Sequence, residues 1–284
     1  MADKDGKMAQ DTEQPRVLIV IPARYASTRY PGKPLAELTG ADGVARSLVR
    51  RTWEAACQVE VEVEGAARIV VATDDDRIAT ACAEFGAEVV MTPESCANGT
   101  ERCAAALAAL GGQYDLVVNL QGDAPLTPPW FIEDLIAGML RDGDAEVATP
   151  VLRADGAALN GFLEDRRNGR VGGTTAVFDR SMAALYFSKE VIPFTSERFD
   201  DAAPTPVFHH VGVYAYRPSA LEDYLGWSSG PLEDLEGLEQ LRFLENGARL
   251  LCVQVDARGR QFWELNNPED IPRIEAMMAR MGMS

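Results

Sequence analysis

The chain has 284 residues, 46% of them hydrophobic and 25% charged, with a formal net charge of −17. That length suits one large α/β domain or two smaller ones around a substantial core. The acidic balance opposes a nucleic-acid polymer as partner, and it obliges an anionic ligand to meet a focused cationic site.

The five cysteines are scattered without a CxxC pair, and the only histidines are the adjacent His209 and His210. A zinc site and a disulfide framework are therefore disfavoured, and reduced thiols suit a cytoplasmic location. Residues 1–15 read as a disordered N-terminal extension without the apolar run of a signal peptide. No stretch approaches the ~20 apolar residues of a membrane-spanning helix, so no membrane partner is expected.

Val17 to Ile21 reads as a strand buried on both faces. Pro22 ends it, and a loop follows with three cations, Arg24, Arg29 and Lys33. Gly32 between Pro31 and Pro34 shapes that loop through one permissive and two fixed φ values. A basic loop at the carboxyl end of the first strand is where α/β sheets bind ligands, and three cations suit a polyphosphate. Ala45 to Gln58 has helical spacing. Ala67 to Ala72 reads as a second strand, and Thr73-Asp74-Asp75-Asp76 caps a helix to Phe85. After a short strand, Glu88 to Met91, Gly99-Thr100 opens an Ala-rich helix to Leu110. Its free N–H groups suit an anion or a base edge.

Leu116 to Leu120 is a fourth strand, running into Gln121-Gly122-Asp123. Asp123 there reads either as a ligand for a divalent metal or as a turn aspartate. Pro128-Pro129 starts a helix to about Asp142. The βαβαβαβ order up to Val151 calls for a parallel, doubly wound Rossmann-like sheet. Arg153 to Gly173 is polar and Gly-rich and reads as a surface excursion. Strands follow at Thr174 to Phe178, Ala184 to Lys189 and Phe208 to Arg217, then a helix from Pro218 to about Leu225. Pro231 to Asn246 reads as one helix with Leu232, Leu235, Leu238, Leu241 and Leu244 on a narrow apolar stripe, stopped by Gly247. Leu250 to Val255 is the last strand, and a terminal helix runs from Glu269 to about Arg280. The chain is read as a single domain over residues 16–284, with a small lobe at about 153–206.

The basic loop is not a Walker motif, because Pro34 follows Gly32-Lys33. No GxGxxG follows a strand, and no GxSxG elbow is present. Together, the cationic loop and the strand-end carboxylate suggest Mg²⁺-dependent work on a nucleoside triphosphate.

Ile21-Pro22-Ala23-Arg24-Tyr25-Ala26-Ser27-Thr28-Arg29 with Pro31 to Leu35 closely resembles the signature of CMP-Kdo synthetases (3-deoxy-manno-octulosonate cytidylyltransferases). So do Ala72 to Asp75, Gly99 to Arg102, Asn119 to Asp123, Ala184 to Ser188, His210 to Tyr214, Leu238 to Arg242 and Asn267 to Asp270, in family order over nearly the whole chain. The resemblance implies a nucleotidyltransferase that couples CTP to a 2-keto-3-deoxy sugar acid with Mg²⁺, working as a homodimer through its smaller lobe. Catalysis would fall to Arg24, Lys33 and Asp123. Pro22, Ala23, Arg24, Ser27, Lys33, Thr73, Asp74, Gly99, Thr100 and Arg102 would hold the nucleotide. Gln121, Tyr186, His210, Glu239 and Gln240 would line the sugar-acid pocket. As residues alone, Tyr186 also reads as core, His210 as a satisfied strand histidine and Glu239 as a solvated helix residue.

The chain departs from the family pattern in several places. Ala124 replaces the glutamate of Gln-Gly-Asp-Glu-Pro, Gly40 to Val44 lacks a Gly-Lys-Pro, and Lys189 stands in place of arginine. At the second metal position after Asp123, Asn266 replaces an aspartate, and a neutral amide offers a hard cation less than a carboxylate does. Three readings stay open: a CMP-Kdo synthetase with a relaxed metal site, a cytidylyltransferase for another 3-deoxy-2-keto sugar acid, or a catalytically weak CTP-binding relative.

Overall fold

The structure, a computed structural model, describes residues 14–27, 30–61, 63, 66–171, 173–260, 263–265 and 267–284. Arg29, Asn266 and most of the N-terminal extension lie outside these residues.

The first half alternates strands and helices as expected: β1 (Val17–Ala23), a hairpin of β2 (Glu37–Thr39) and β3 (Ala45–Ser47), α1 (Leu48–Ala56), β4 (Arg68–Thr73), α2 (Asp76–Glu84), β5 (Glu88–Met91), α3 (Gly99–Leu110), β6 (Leu116–Leu120) and α4 (Pro129–Arg141). The second half holds β7 (Val147–Asp155), α5 (Gly156–Arg167), β8 (Thr175–Phe178), β9 (Ala184–Ser188), β10 (Pro204–His210), β11 (Val213–Tyr216), α6 (Pro218–Gly226), α7 (Pro231–Glu236), α8 (Leu241–Glu245), β12 (Leu250–Val255) and α9 (Ile271–Met281).

One ten-stranded sheet runs β5-β4-β1-β6-β11-β7-β10-β8-β9, and β12 also pairs with β7. The strands β5, β4, β1 and β6 form a parallel, Rossmann-like half. β11 is inserted antiparallel between β6 and β7, which leaves those two running the same way. β10, β8 and β9 then extend the sheet by antiparallel pairing.

The all-apolar run in β1 reflects burial on both faces, since successive side chains alternate sides. Val17, Ile19 and Ile21 join a core with α1, α2 and α4. Leu18 and Val20 join another with α3, α6 and α8. A smaller cluster packs α9 on the hairpin through Leu38, Leu48, Ile274 and Met278. Buried Arg51 donates to the carbonyls of Leu38 and Val44 in that hairpin and to the main-chain oxygen of Ser284.

Four expected segments are built differently. Arg153 to Gly173 is not a surface excursion. It ends β7 and forms α5, capped where Asp155 accepts from Ala158 N–H at 2.8 Å. Ala158, Leu159, Phe162 and Leu163 have the i, i+3, i+4 spacing of one face and pack with Ala154 and Val207. The helix expected from Ala45 begins only at Leu48, because Ala45 to Ser47 pairs in the hairpin. The strand expected over Phe208 to Arg217 breaks at Val211-Gly212, and β10 and β11 flank β7 at different places.

The helix expected over Pro231 to Asn246 is also two. Gly237 takes φ 59°, ψ 43°, a left-handed conformation that ends α7. Arg242 then folds back to bind Glu233 through two short hydrogen bonds, at 2.7 and 2.8 Å. The leucine stripe is therefore not one buried face: Leu241 is buried, whereas Leu235 is 84% exposed.

Candidate active site

A cavity of about 420 Å³ opens at the carboxyl ends of β1 and β6. This is the position at which parallel sheets of this kind bind ligands. Three parts of the chain wall it: the loop after β1, the turn between β6 and α4 facing the start of α3, and the break between α7 and α8.

The β1 loop supplies Pro22, Ala23, Arg24, Ser27 and Lys33. It closes on itself where Gly32 N–H donates to the Tyr25 carbonyl at 2.9 Å. The Arg77 guanidinium lies 3.3 Å from the centre of the Tyr25 ring and packs on its face. From the β6 turn come Gln121 and Asp123. A Cβ on Gly122 would lie 2.8 Å from the Pro22 carbonyl oxygen, so only glycine lets this turn approach β1 so closely. The approach brings Lys33 Nζ to 2.7 Å from Asp123 Oδ2, a pair whose side chains are 16% and 29% exposed. The backbone of Asp123 is fixed by Leu265 N–H, which donates to its carbonyl at 2.9 Å.

The third wall is Gly237 to Gln240. Glu239 reaches across to the start of α3, where Oε2 accepts from Thr100 N–H at 3.1 Å and Oε1 from Gln121 Nε2 at 3.3 Å. Burial pushes the Glu239 carboxyl above the ordinary carboxylate range, opposed by the Thr100 hydrogen bonds. Gln240 Oε1 accepts from the Tyr214 hydroxyl at 3.0 Å, while its amide nitrogen has no partner among the described residues. A buried donor left unpaired beside a cavity is suited to a polar ligand.

The start of α3 is not the free anion site expected. Thr100 N–H is taken by Glu239, and Glu101 N–H by the cap Asn98 at 2.9 Å. A carboxylate already occupies the positive end of the helix dipole.

A family model described as cytidylyltransferase matches residues 18–251. The chain belongs to the cytidylyltransferase family. Among curated cytidylyltransferases it is 44% identical over 266 residues to the 3-deoxy-manno-octulosonate cytidylyltransferase of Maricaulis maris, covering 94% of this chain and 98% of that one. It is 40% identical to the 8-amino-3,8-dideoxy-manno-octulosonate cytidylyltransferase of Shewanella pealeana, over 92% and 98% of the two chains. Among solved structures, CMP:2-keto-3-deoxy-manno-octonic acid synthetase complexed with CTP matches with a TM-score of 0.76 and 31% identity, covering 94% of this chain and 99% of that one.

Of the residues expected at a cytidylyltransferase site, Pro22, Ala23, Arg24, Ser27, Lys33, Gly99, Arg102, Gln121, Asp123, Glu239 and Gln240 line this cavity. Arg24 also donates to the Ala97 carbonyl at 3.5 Å. Arg102 is 2% exposed and engaged behind the cavity, with Asp74 at 2.8 Å and Thr92 Oγ1 at 2.6 Å. Asp74 and Thr73 are thus placed by the fold to hold other residues. Thr73 is fully buried, and its carbonyl accepts from Thr92 N–H at 2.8 Å. Thr100 sits one layer out, its hydroxyl 2.9 Å from that of Tyr216.

Two expected sugar-pocket residues do not line the cavity. His210 is buried, with its ring 5.0 Å from Phe187 and 5.6 Å from Tyr214. Thr149 Oγ donates to the Val213 carbonyl at 2.8 Å, so His210 Nε2–H is the donor in the 2.9 Å bond to Thr149. Burial pushes its pKa down to about 3, leaving it neutral. Tyr186 turns instead to Glu236, at 3.3 Å.

Asn98, Tyr214 and Gly237 line the cavity without having been expected there. Asn98 had a sequence signal, an Asn three residues before a Glu at a helix start. Tyr214 ends the His210 to Tyr214 motif, which singled out His210 instead, and Gly237 had no signal, since a helix-region glycine is common.

Among the described residues no group of three or more His, Cys, Asp or Glu could hold a metal, and no helix is long and apolar enough to cross a membrane. The chemistry at Asp123 nonetheless suits a divalent cation. It is a hard carboxylate at the cavity wall, and it already holds a cation, the Lys33 ammonium, in contact.

Proposed function

We propose that this chain couples CTP to 3-deoxy-manno-octulosonate, giving the CMP-sugar and pyrophosphate. The observation that carries the reading is the division of one cavity into two chemistries. The β1 loop brings Arg24 and Lys33, the break between α7 and α8 brings Glu239 and Gln240, and the β6 turn between them sends Asp123 to Lys33 and Gln121 to Glu239. The first suits a triphosphate and the second a polyhydroxylated acceptor rich in hydrogen-bonding groups.

In this reading Arg24 and Lys33 neutralise the triphosphate, and Pro22, Ala23 and Ser27 shape its approach. Gly99 lines the nucleotide side of the cavity, and its missing side chain leaves room for the Gln121 and Asn119 amides. Glu239, Gln240 and Gln121 orient the sugar acid so that its anomeric hydroxyl oxygen faces the α-phosphorus. That oxygen forms the new P–O bond as the bond to pyrophosphate breaks, and the hydroxyl proton leaves to solvent or to a nearby acceptor. Positioning and charge neutralisation suffice, and no covalent enzyme intermediate is required. Mg²⁺, held by Asp123 with Asn266, would supply additional charge neutralisation on the phosphates.

The same reading includes a cytoplasmic location and a homodimer formed through the lobe at 153–206. Leu185 and Phe194, 63% and 90% exposed in that segment, support the dimer. Light scattering that gives the mass of a single chain would refute it.

The likeness to an 8-amino-3,8-dideoxy-manno-octulosonate enzyme favours a second acceptor for testing. A pyrophosphate-release assay with CTP, Mg²⁺ and a panel of sugar acids separates the readings. Turnover with 3-deoxy-manno-octulosonate supports the first, turnover only with the 8-amino acid supports the second, and CTP binding without turnover refutes both.

A further inference from the structure

The break between α7 and α8 is a short strap, Gly237 to Gln240, whose side chains reach the cavity at Glu239 and Gln240. Its far end is pinned where Arg242 binds Glu233 through two hydrogen bonds. Its near end begins at Gly237, a left-handed residue whose N–H donates to the Glu233 carbonyl at 2.6 Å and so ties the strap to the last turn of α7. Where the strap lies then depends on what holds the end of α7 against the sheet.

Glu236 holds it there. Its Oε1 accepts from Ser188 Oγ at 2.7 Å and from Tyr186 OH at 3.3 Å, and its Oε2 from Lys189 N–H at 2.9 Å. A carboxylate with three donors is a rigid tie, because charged hydrogen bonds are shorter and stronger than neutral ones. All three donors come from β9 and the residue after it, so the tie binds the strap to the edge of the sheet. It also gives Tyr186 a use that does not require contact with a ligand.

We propose that Glu236 is a positioning residue for the acceptor side of the site. Held by β9, it sets where the strap presents Glu239 and Gln240, and Tyr186 and Ser188 act through it. The nucleotide side rests on the β1 loop, which shares none of these bonds. This role rests on the acceptor assignment made above, but the tie itself does not.

The test compares wild type with Glu236→Ala and Glu236→Gln by acceptor KM, kcat, CTP affinity by calorimetry, and hydrogen exchange of the Gly237–Gln240 amides. Glu236→Ala is expected to raise the acceptor KM about tenfold or more, the scale of a displaced positioning group. CTP affinity should stay within about twofold, since the nucleotide wall is untouched. Glu236→Gln, which keeps one carbonyl acceptor for Ser188 and Tyr186, should fall between. Exchange at residues 237–240 should accelerate in Glu236→Ala while the amides of the β1 loop do not change. Unchanged exchange there overturns the proposal, as does an acceptor KM that moves in step with CTP affinity. If Glu236→Ala does not fold, Tyr186→Phe and Ser188→Ala must show the same split in smaller measure, and no split overturns it. Absence of turnover in wild type would refute the acceptor assignment alone, because the exchange measurement needs no substrate.

Discussion

Replacing Asp123 by Asn should tighten nucleotide binding without metal and lower turnover with it. In the free protein Lys33 Nζ sits 2.7 Å from Asp123 Oδ2. A triphosphate that recruits Lys33 must draw it from that carboxylate, or share it. The side chains are 16% and 29% exposed, so solvent screens the attraction and its net worth is about 1 kcal/mol. Asp123→Asn frees Lys33 and removes a negative charge facing a polyanion, and both effects favour CTP alone. Metal-free CTP, measured by calorimetry in EDTA, should therefore bind about fivefold tighter, the factor that 1 kcal/mol represents. With Mg²⁺ present, the same variant loses the carboxylate that would hold the cation. Turnover should fall about 10²–10³-fold, as when several kcal/mol of charge stabilisation is lost. Metal-free affinity equal to or weaker than wild type would refute the sequestration of Lys33. Near-normal turnover would refute the metal role of Asp123.

Arg102→Met should strand Asp74, 9% exposed at its side chain, beside an apolar group. Breaking such a buried pair costs about 3–5 kcal/mol and should lower Tm by about 6–20 °C; a drop under about 2 °C in a thermal scan would refute the structural assignment of the pair. Gly122→Ala places a methyl 2.8 Å from the Pro22 carbonyl oxygen. Backbone must shift, at a stability cost of about 1–3 kcal/mol, and the displaced Asp123 should lower kcat/KM by about 100-fold; activity within twofold of wild type would mean the turn tolerates the shift. Glu239→Gln tests pH linkage. The folded-state pKa of Glu239 is raised above 4.5, so between those values the folded chain holds the proton that the unfolded chain has lost, and stability falls as pH rises. Glu239→Gln should thus be more stable than wild type at pH 7, with the advantage fading as pH falls through the raised folded-state pKa and gone below about 4.5; a pH-independent Tm difference would refute the burial argument.

Sequence legibility followed the range of the interactions involved. Strand β1 and its basic loop, the cap of α2 and the turn at Asp123 depend on residues adjacent in the chain, so their local patterns were enough. The α5 helix was missed because its face has only a few apolar residues in a polar segment, and its partner Val207 is some forty positions away. The single helix drawn through Pro231 to Asn246 satisfied leucine spacing. The pair between Glu233 and Arg242 and the left-handed Gly237 decided otherwise.

The same division holds within the site. By itself the sequence determined the family, the α/β class and the cavity wall nearest the first strand, because ordered motifs and short-range geometry encode them. Only tertiary structure decided that Thr73, Asp74, Tyr186 and His210 stand back from the cavity. It also decided that Glu239 covers the start of α3 and that Lys33 rests on Asp123. Those contacts join residues 90 to 139 positions apart in the last two cases. Their formation depends on how β1, β6, α3 and the strap converge at one end of the sheet, and no local pattern of residues specifies that convergence.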